Sequence, residues 1–500
     1  MNVKYESTRD NNLKINSSQA VLKGLSDDGG LFFPKDFKNI KINIKHIEDL
    51  NYKELAVEIF TKFFSDYTKE EILYSVENAY GNKFDTEEIV PLKNGGNYNF
   101  LELFHGRTLA FKDVALSILP YFMKAAKDKN KIKNEILILT ATSGDTGKAA
   151  LEGFKDIEGI SISVFYPEGG VSKVQELQMK TQEGNNTHVL AVEGNFDDAQ
   201  TAVKNIFNNK NVKDKLLDDN TILSSANSIN VGRLIPQIVY YFYSYNSLLK
   251  NKKIKSGEKI NFVVPTGNFG NILAGYMAKE MGLPVNKLIC ASNENNVLTD
   301  FINTGTYDIN REFIKTISPS MDILISSNLE RLIYMLSGGD DNYIKKIIAE
   351  LDEKGKYKID SKILDKIQDS FWSSFSTQDE ILNKIKKVYR EYNYIIDPHT
   401  AVAVDVYDKY KHETGDKSVS IILSTASPFK FIESIYDALD IEKTKEGKEL
   451  IMEFSEEFNI PIPKSLEEIL NKPFIHNKTI KINDVKNEIL KIAHKEEKNV

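Results

Sequence analysis

Residues 135–149 read EILILTATSGDTGKA, and this pattern decides the fold. Residues 135–140 form a short, β-rich apolar run, residues 141–147 a turn of small hydroxyl residues and glycines, and a helical stretch follows. Strand, glycine turn and helix make the unit of a parallel sheet, because parallel strands need a crossover and a helix usually supplies it. The rhythm recurs from residue 96 to 300. Residues 161–165, 188–192, 260–264 and 288–291 are further candidate strands, with helical patterns at 199–207 and 229–243 between them. The predicted class is α/β, with mostly parallel sheets covered by helices on both faces. In open sheets of this kind ligands bind beyond the carboxyl ends of the strands, where these turns fall.

Working outward, residues 1–95 are predicted to form a small, largely helical unit. Residues 17–25 and 50–64 carry apolar side chains at helical spacing, and a helix over 72–80 follows the capping box Thr68-Lys69-Glu70-Glu71. Residues 96–435 form the main region, interrupted by a lysine-rich helical insertion over about 320–395 that reads as a solvated lid or outer layer. It contains a second capping box, Thr377 to Glu380. The sheet pattern returns at 419–423, followed by a turn at 424–428. Residues 436–500 are charged, with IPIP at 460–463, and read as an appendage that packs or frays.

Five hundred residues exceed what one core usually serves, about 250 to 300, so two or three domains are expected. The composition, 41% hydrophobic and 27% charged, is that of a globular chain. A net charge of −7 with interspersed lysines offers no basic face and argues against nucleic acid as a partner. The only cysteine, Cys290, lies in an apolar run and is expected to be a buried strand residue. No signal-peptide core opens the chain, and no stretch approaches the roughly 20 apolar residues that span a bilayer, so a cytoplasmic protein is expected.

One lysine stands out. Lys112, in FHGRTLAFKDV (residues 104–114), lies between apolar residues, where an amine is desolvated and its pKa falls. Such an amine attacks carbonyls. A lysine in this setting can equally lay its stem along an apolar surface. The turn at 141–147 offers hydroxyls and the free NH groups of a helix start, an anion site if it is not simply a cap. The turn 265–271, PTGNFGN, follows an apolar run and opens a helix over 272–281. It suits a phosphate, though a ligand-free strand-to-helix turn has the same pattern. Residues 423–428, LSTASP, form a third strand-end turn. A desolvated lysine and three such turns together suit one phosphorylated aldehyde cofactor and its substrate.

Rival chemistries find little support. The seven histidines are scattered, with no HExxH or Cys/His cluster, so no metal site is expected. There is no P-loop and no GxSxG elbow. His399, in Asp397-Pro398-His399-Thr400, reads as structural rather than as a general base.

The ordered motifs resemble threonine synthase, a pyridoxal phosphate (PLP) enzyme of the tryptophan synthase β-like fold type II. They are YESTR at 5–9, GLSDDGGL at 24–31, the lysine segment, TATSGDTG, SANSIN at 225–230 with Arg233, GNFGN at 267–271, SPSMDIL at 318–324 and STASPFKF at 424–431. Length and insertion are most similar to the longer type of fungi and many bacteria. The resemblance implies Lys112 as the residue that forms a Schiff base with PLP, with Gly267, Asn268, Phe269, Gly270 and Asn271 around the cofactor phosphate. It also implies Thr425 facing the pyridine nitrogen and Asp145 near the phenolic oxygen. A hydroxyl partner does not hold that nitrogen protonated, so the ring should be a weaker electron sink. Thr142, Ser143 and Thr146 would bind the substrate carboxylate, and Asn227, Ser228 and Arg233 its phosphate.

The implied reaction converts O-phospho-L-homoserine and water to L-threonine and phosphate, with Lys112 as anchor and then base, in a monomer or homodimer. Alternatives are a PLP-dependent lyase releasing 2-oxobutanoate from the same substrate, a serine or threonine dehydratase, or an inactive PLP-binding homologue. Three positions depart from the family pattern: Asp10 where glycine is usual, Arg107 where proline is common, and Asn271 where aspartate is frequent. Arg107 is expected to lie close enough to Lys112 to perturb it. Asn271 removes a negative charge beside a phosphate and should help binding.

Overall fold

The computed structural model describes residues 2–142 and 144–494. Two sheets organise the chain. The first has six strands in the order Phe371–Phe375, Val285–Ser292, Ile260–Pro265, Ser420–Ser424, Tyr98–Glu102 and Leu92–Gly95. All neighbours run parallel except the last pair, the hairpin of Leu92–Gly95 with Tyr98–Glu102. The second has five parallel strands in the order Thr479–Lys481, Thr187–Glu193, Ile160–Pro167, Glu135–Ala141 and Thr221–Ser224.

Alternate residues of each central strand enter different apolar clusters, as a period of two requires. Phe262 and Val264 pack with the helices Pro236–Lys250 and Gly270–Glu280, whereas Val263 packs with Val402 and Val406 of Pro398–Thr414. Likewise Ile136 and Ile138 face one cluster, and Leu137 and Leu139 the other. Both faces are therefore covered, and Ile260–Pro265 is buried throughout. Cys290 is buried in Val285–Ser292, as expected. Among the described residues no helix is long and apolar enough to cross a membrane.

Three regions carry structure beyond the sequence-based expectation. The N-terminal unit has its helices, Ser17–Lys23, Tyr52–Phe63 and Lys69–Tyr80, and the capping box at Thr68 and Glu71. It also carries an antiparallel sheet of Tyr5–Ser7, Asp10–Ile15 and Phe32–Pro34; the two three-residue strands are too short to show a period, and Asp10–Ile15, DNNLKI, carries only two apolar residues. The lysine-rich insertion is no mere outer layer. Its strand Phe371–Phe375 is an edge of the main sheet, and Gln378–Tyr392, capped by Thr377 and Glu380, buries Ile381, Ile385 and Val388. Lys387 of this helix is exposed, whereas Lys384 is mostly buried and pairs with Asp405 and Asp408 of Pro398–Thr414. The tail packs rather than frays: Thr479–Lys481 extends the second sheet, and Phe454 of Gly447–Phe458 meets Phe429 and Tyr436.

Candidate active site

Lys112 opens the short helix Lys112–Leu116. The loop before it is held from both sides. Thr108 donates to the Asp113 carboxylate through its backbone NH (2.8 Å) and hydroxyl (2.6 Å), and Leu109 sits at φ 61°. The Phe111 NH donates to the Thr425 carbonyl and the Ser427 NH to the Leu109 carbonyl, at 2.8 and 3.0 Å. The lysine loop and the STASP turn, more than 300 residues apart, thus form one backbone structure. Lys112 Nζ, with 11% of its side chain exposed, donates to Ser320 Oγ at 3.2 Å and lies 3.6 Å from Asp145 Oδ2.

Burial pulls the Lys112 amine down to about 8; the Asp145 charge opposes this, and the cationic Arg233 and Lys430 reinforce it. The expected perturbation by Arg107 is not observed. Its guanidinium is engaged with Glu152 (2.7 Å) and Glu468 (2.8 Å).

Asp145 begins the helix Asp145–Phe154 after the strand Glu135–Ala141, and is 4% exposed. Its Oδ1 accepts from Lys430 Nζ at 2.5 Å and Gln175 Nε2 at 2.8 Å, and its Oδ2 from Ser320 Oγ at 3.2 Å. Burial alone would raise this carboxyl, but Lys430 and Lys112 outweigh it and hold it well below the usual carboxylate range. Gly144, at φ 133°, is required here, since a Cβ would lie 2.4 Å from the Gln175 amide. Thr142 is buried and its hydroxyl accepts from the Gly144 and Gly147 NH groups, which caps the turn. Thr146 is half-buried; Ser143 lies outside the described residues.

In the second turn Phe269, at φ 59°, and neither neighbouring glycine, takes the left-handed conformation. Gly267 answers a different need, because a Cβ there would sit 2.6 Å from the Ser320 carbonyl. Gly270 and Asn271 start the helix Gly270–Glu280, and Asn268 is exposed. Asn271 is buried, and its Oδ1 accepts from Tyr240 Oη (2.6 Å) and Tyr241 Oη (2.8 Å). Its Nδ2 is left without a partner among the described residues.

Arg233, 4% exposed in Val231–Leu234, donates from Nη1 to the Ala226 carbonyl at 2.8 Å, while its Nε has no partner. Burial pulls its pKa down to about 10. Asn227 and Ser228 are half-buried in the preceding loop, which Asn328 ties to the second turn by donating to the Ser228 (3.2 Å) and Asn268 (3.0 Å) carbonyls. Thr425 is buried at the third turn.

Sequence reading missed Lys430, Gln175 and the role of Ser320. Lys430 shows the signal used for Lys112, a lysine between apolar residues, here Phe429 and Phe431. His399 is structural in the way expected: its Nδ1 pairs with Asp397 (2.7 Å) and its Nε2 accepts the Ser320 NH (3.2 Å). Among the described residues no cluster could hold a metal ion.

Buried donors such as Arg233 Nε and Asn271 Nδ2 are costly without acceptors. With Arg233 in electrostatic reach of a desolvated amine and Asn271 in the glycine turn, they fit an anionic aldehyde cofactor and an anionic substrate, so these residues suit PLP. Family comparison places the chain in the same class. Residues 93–425 match the family described as Pyridoxal-phosphate dependent enzyme, with the type II α/β fold seen above. Residues 4–80 match Threonine synthase N terminus and 400–486 match Threonine synthase, C-terminal. The chain is 39% identical over 442 residues to human Threonine synthase-like 1, covering 86% of this chain but spanning only 58% of that protein. To Threonine synthase of Schizosaccharomyces pombe it is 38% identical over 470 residues, covering 87% and 89%. The crystal structure of PLP-bound threonine synthase from Brucella melitensis superposes with a TM-score of 0.86 at 34% identity, over 98% of this chain and 99% of that one. The chain belongs to the threonine synthase family.

Proposed function

We propose that this chain converts O-phospho-L-homoserine and water to L-threonine and phosphate, acting in the cytoplasm as a monomer or homodimer. One observation carries the reading: the buried Lys112 amine, 3.2 Å from Ser320 Oγ and 3.6 Å from Asp145 Oδ2, shares its site with a buried arginine, Arg233, whose Nε has no partner among the described residues. Burial lowers the proton affinity of such an amine and favours its nucleophilic form, and a buried guanidinium with an unused Nε–H suits a phosphate. Bound PLP supplies the electron sink that makes the substrate Cα acidic.

The protein's part is positioning and proton transfer. Lys112 holds the cofactor and, once displaced by the substrate amine, moves protons at Cα and Cβ through Nζ. Gly267, Asn268, Phe269, Gly270 and Asn271 hold the cofactor phosphate, Asn271 through Nδ2. Thr425 would serve the pyridine nitrogen of the cofactor, and Asp145, with Lys430 beside it, would stand on the side of its phenolic oxygen. Thr142, Ser143 and Thr146 bind the substrate carboxylate. Arg233, with Asn227 and Ser228, holds the phosphate that leaves from Cγ before water adds at Cβ. In domain terms, residues 1–95, 96–435 and 436–500 serve as N-terminal unit, catalytic region and C-terminal appendage.

Incubating the purified protein with PLP and O-phospho-L-homoserine should release L-threonine and phosphate, and Lys112→Ala should abolish both. Release of 2-oxobutanoate and ammonia without threonine would replace this reading with the lyase.

A further inference from the structure

A carboxylate 3.6 Å from an amine ordinarily keeps that amine protonated, which a nucleophile or base cannot afford. Asp145 stands in that relation to Lys112; burial is the main force against that outcome, and two buried cations, Arg233 and Lys430, add to it. Lys430 is completely buried, its ammonium 2.5 Å from Asp145 Oδ1 and 2.9 Å from the Thr108 carbonyl. It lies in the 3-10 turn Pro428–Lys430 that follows the STASP segment, its NH bonded to the Ser427 carbonyl at 3.0 Å. A buried ammonium is costly to maintain, and this one is fixed by a carboxylate on one side and the lysine loop on the other.

The groups facing Lys112 come from four elements. Asp145 projects from Asp145–Phe154, Arg233 from Val231–Leu234 and Lys430 from Pro428–Lys430, while the neutral Ser320 hydroxyl bridges Lys112 and Asp145. Two cations, Arg233 and Lys430, stand against the Asp145 carboxylate, and Lys430 also feels the buried Asp113 carboxyl of the lysine loop. His399 lies on the Asp145 side.

We infer that Lys430 is a positioning residue of the reaction: its ammonium occupies Asp145, so that the carboxylate orients Lys112 without retaining its proton. The cation that appears merely structural in the fold then sets the pH at which Lys112 becomes free to react. The inference rests on the catalytic reading of Lys112 given above, and deepens it.

Trace acetylation of the full-length, cofactor-free protein with acetic anhydride tests this. The yield on the Lys112 peptide is followed by mass spectrometry between neutral pH and 10.5, and its midpoint reports the free amine. The midpoint should lie at about 8 in the native protein. In Lys430→Met, Asp145 turns to Lys112 and a like charge is lost, so the midpoint should rise by about 1 unit or more. Lys430→Arg should restore the native value, a rescue that packing alone does not explain. An unchanged midpoint in folded Lys430→Met, or an arginine variant shifted as far as the methionine one, would overturn the inference. If Lys430→Met does not fold, Lys430→Gln, which keeps a buried donor but no charge, decides: the midpoint should rise in the same direction, and a constant or lowered midpoint would refute the idea. Product analysis is independent of this readout. A native protein that forms no threonine but shows the shifts loses only the proposed function; one that forms threonine without the shifts loses only the role of Lys430.

Discussion

Gly267→Ala offers a sharp test of how the site is assembled. The added Cβ would lie 2.6 Å from the Ser320 carbonyl oxygen and 3.5 Å from Met321 Cα, whereas such contacts essentially never fall below 3.0 Å. The obstruction is backbone, so the segment carrying Ser320 must retreat by at least 0.4 Å. Ser320 makes three bonds of 3.2 Å: its hydroxyl accepts from Lys112 and donates to Asp145, and its NH donates to His399. These are already near the outer limit, and a separation of about 3.6 Å is no longer a hydrogen bond. Overpacking of this kind costs about 1–3 kcal/mol of stability. Losing one or two of the bonds, at about 0.5–1.5 kcal/mol each, should lower kcat by roughly 2- to 150-fold. The assay is threonine formation from O-phospho-L-homoserine by Gly267→Ala, Ser320→Ala and the double variant, with thermal midpoints alongside. If the glycine acts through Ser320, the double variant is no slower than the worse single one. Native turnover in Gly267→Ala, or fully multiplicative losses, would refute the reasoning.

Two further outcomes follow from buried charge. Arg233→Met should raise KM for O-phospho-L-homoserine by about 100-fold or more, the loss of a desolvated charge-assisted contact of about 3 kcal/mol. Because the native guanidinium is buried with Nε unpaired, the same variant should unfold at an equal or higher temperature without ligand; a lowered midpoint with unchanged KM would count against a ligand-binding role. His105 sits between Asp85 (2.7 Å) and Glu102 (2.8 Å); burial lowers its pKa, but these two bonds prevail and raise it from 6.5 to about 9. A raised folded value means the stabilisation is full below pH 6.5 and disappears as pH rises through about 9. His105→Gln should therefore be destabilised by about 2 kcal/mol at pH 6 and by much less at pH 10, and thermal midpoints at the two pH values check this.

Much of the main region was legible because long parallel strands buried on both faces leave continuous apolar runs, as in Ile260–Pro265, and glycines mark their ends. What escaped was of two physical kinds. Strands of three to five residues, such as Tyr5–Ser7 and Phe371–Phe375, owe their conformation to distant partners and carry too few residues for a period. Charged segments concealed their buried stripe: Ile381, Ile385 and Val388 recur at helical spacing among lysines. In the site, Lys112 announced itself by its apolar neighbours, yet Lys430 has the same surroundings and is invisible as a partner until the fold brings Pro428–Lys430 against Thr108 and Asp145.

The electrostatics of the site run against those of the chain. The protein carries a net charge of −7, yet Lys112, Arg233 and Lys430 converge in one buried place with Asp145 as counter-charge. Concentrating cations in a low-dielectric interior costs stability, and Arg233 Nε and Asn271 Nδ2 add unpaired donors to that cost. A fold under no functional demand would have lost them, since apolar residues of similar volume pack at least as well. Their persistence follows if guests bearing phosphate complete the site. The same surplus that destabilises the unliganded chain then draws in a dianionic cofactor and a dianionic substrate phosphate, and lowers the affinity of Lys112 for its proton. Binding and activation of the nucleophile are on this account one electrostatic arrangement, and Asp145 with Lys430 sets its balance.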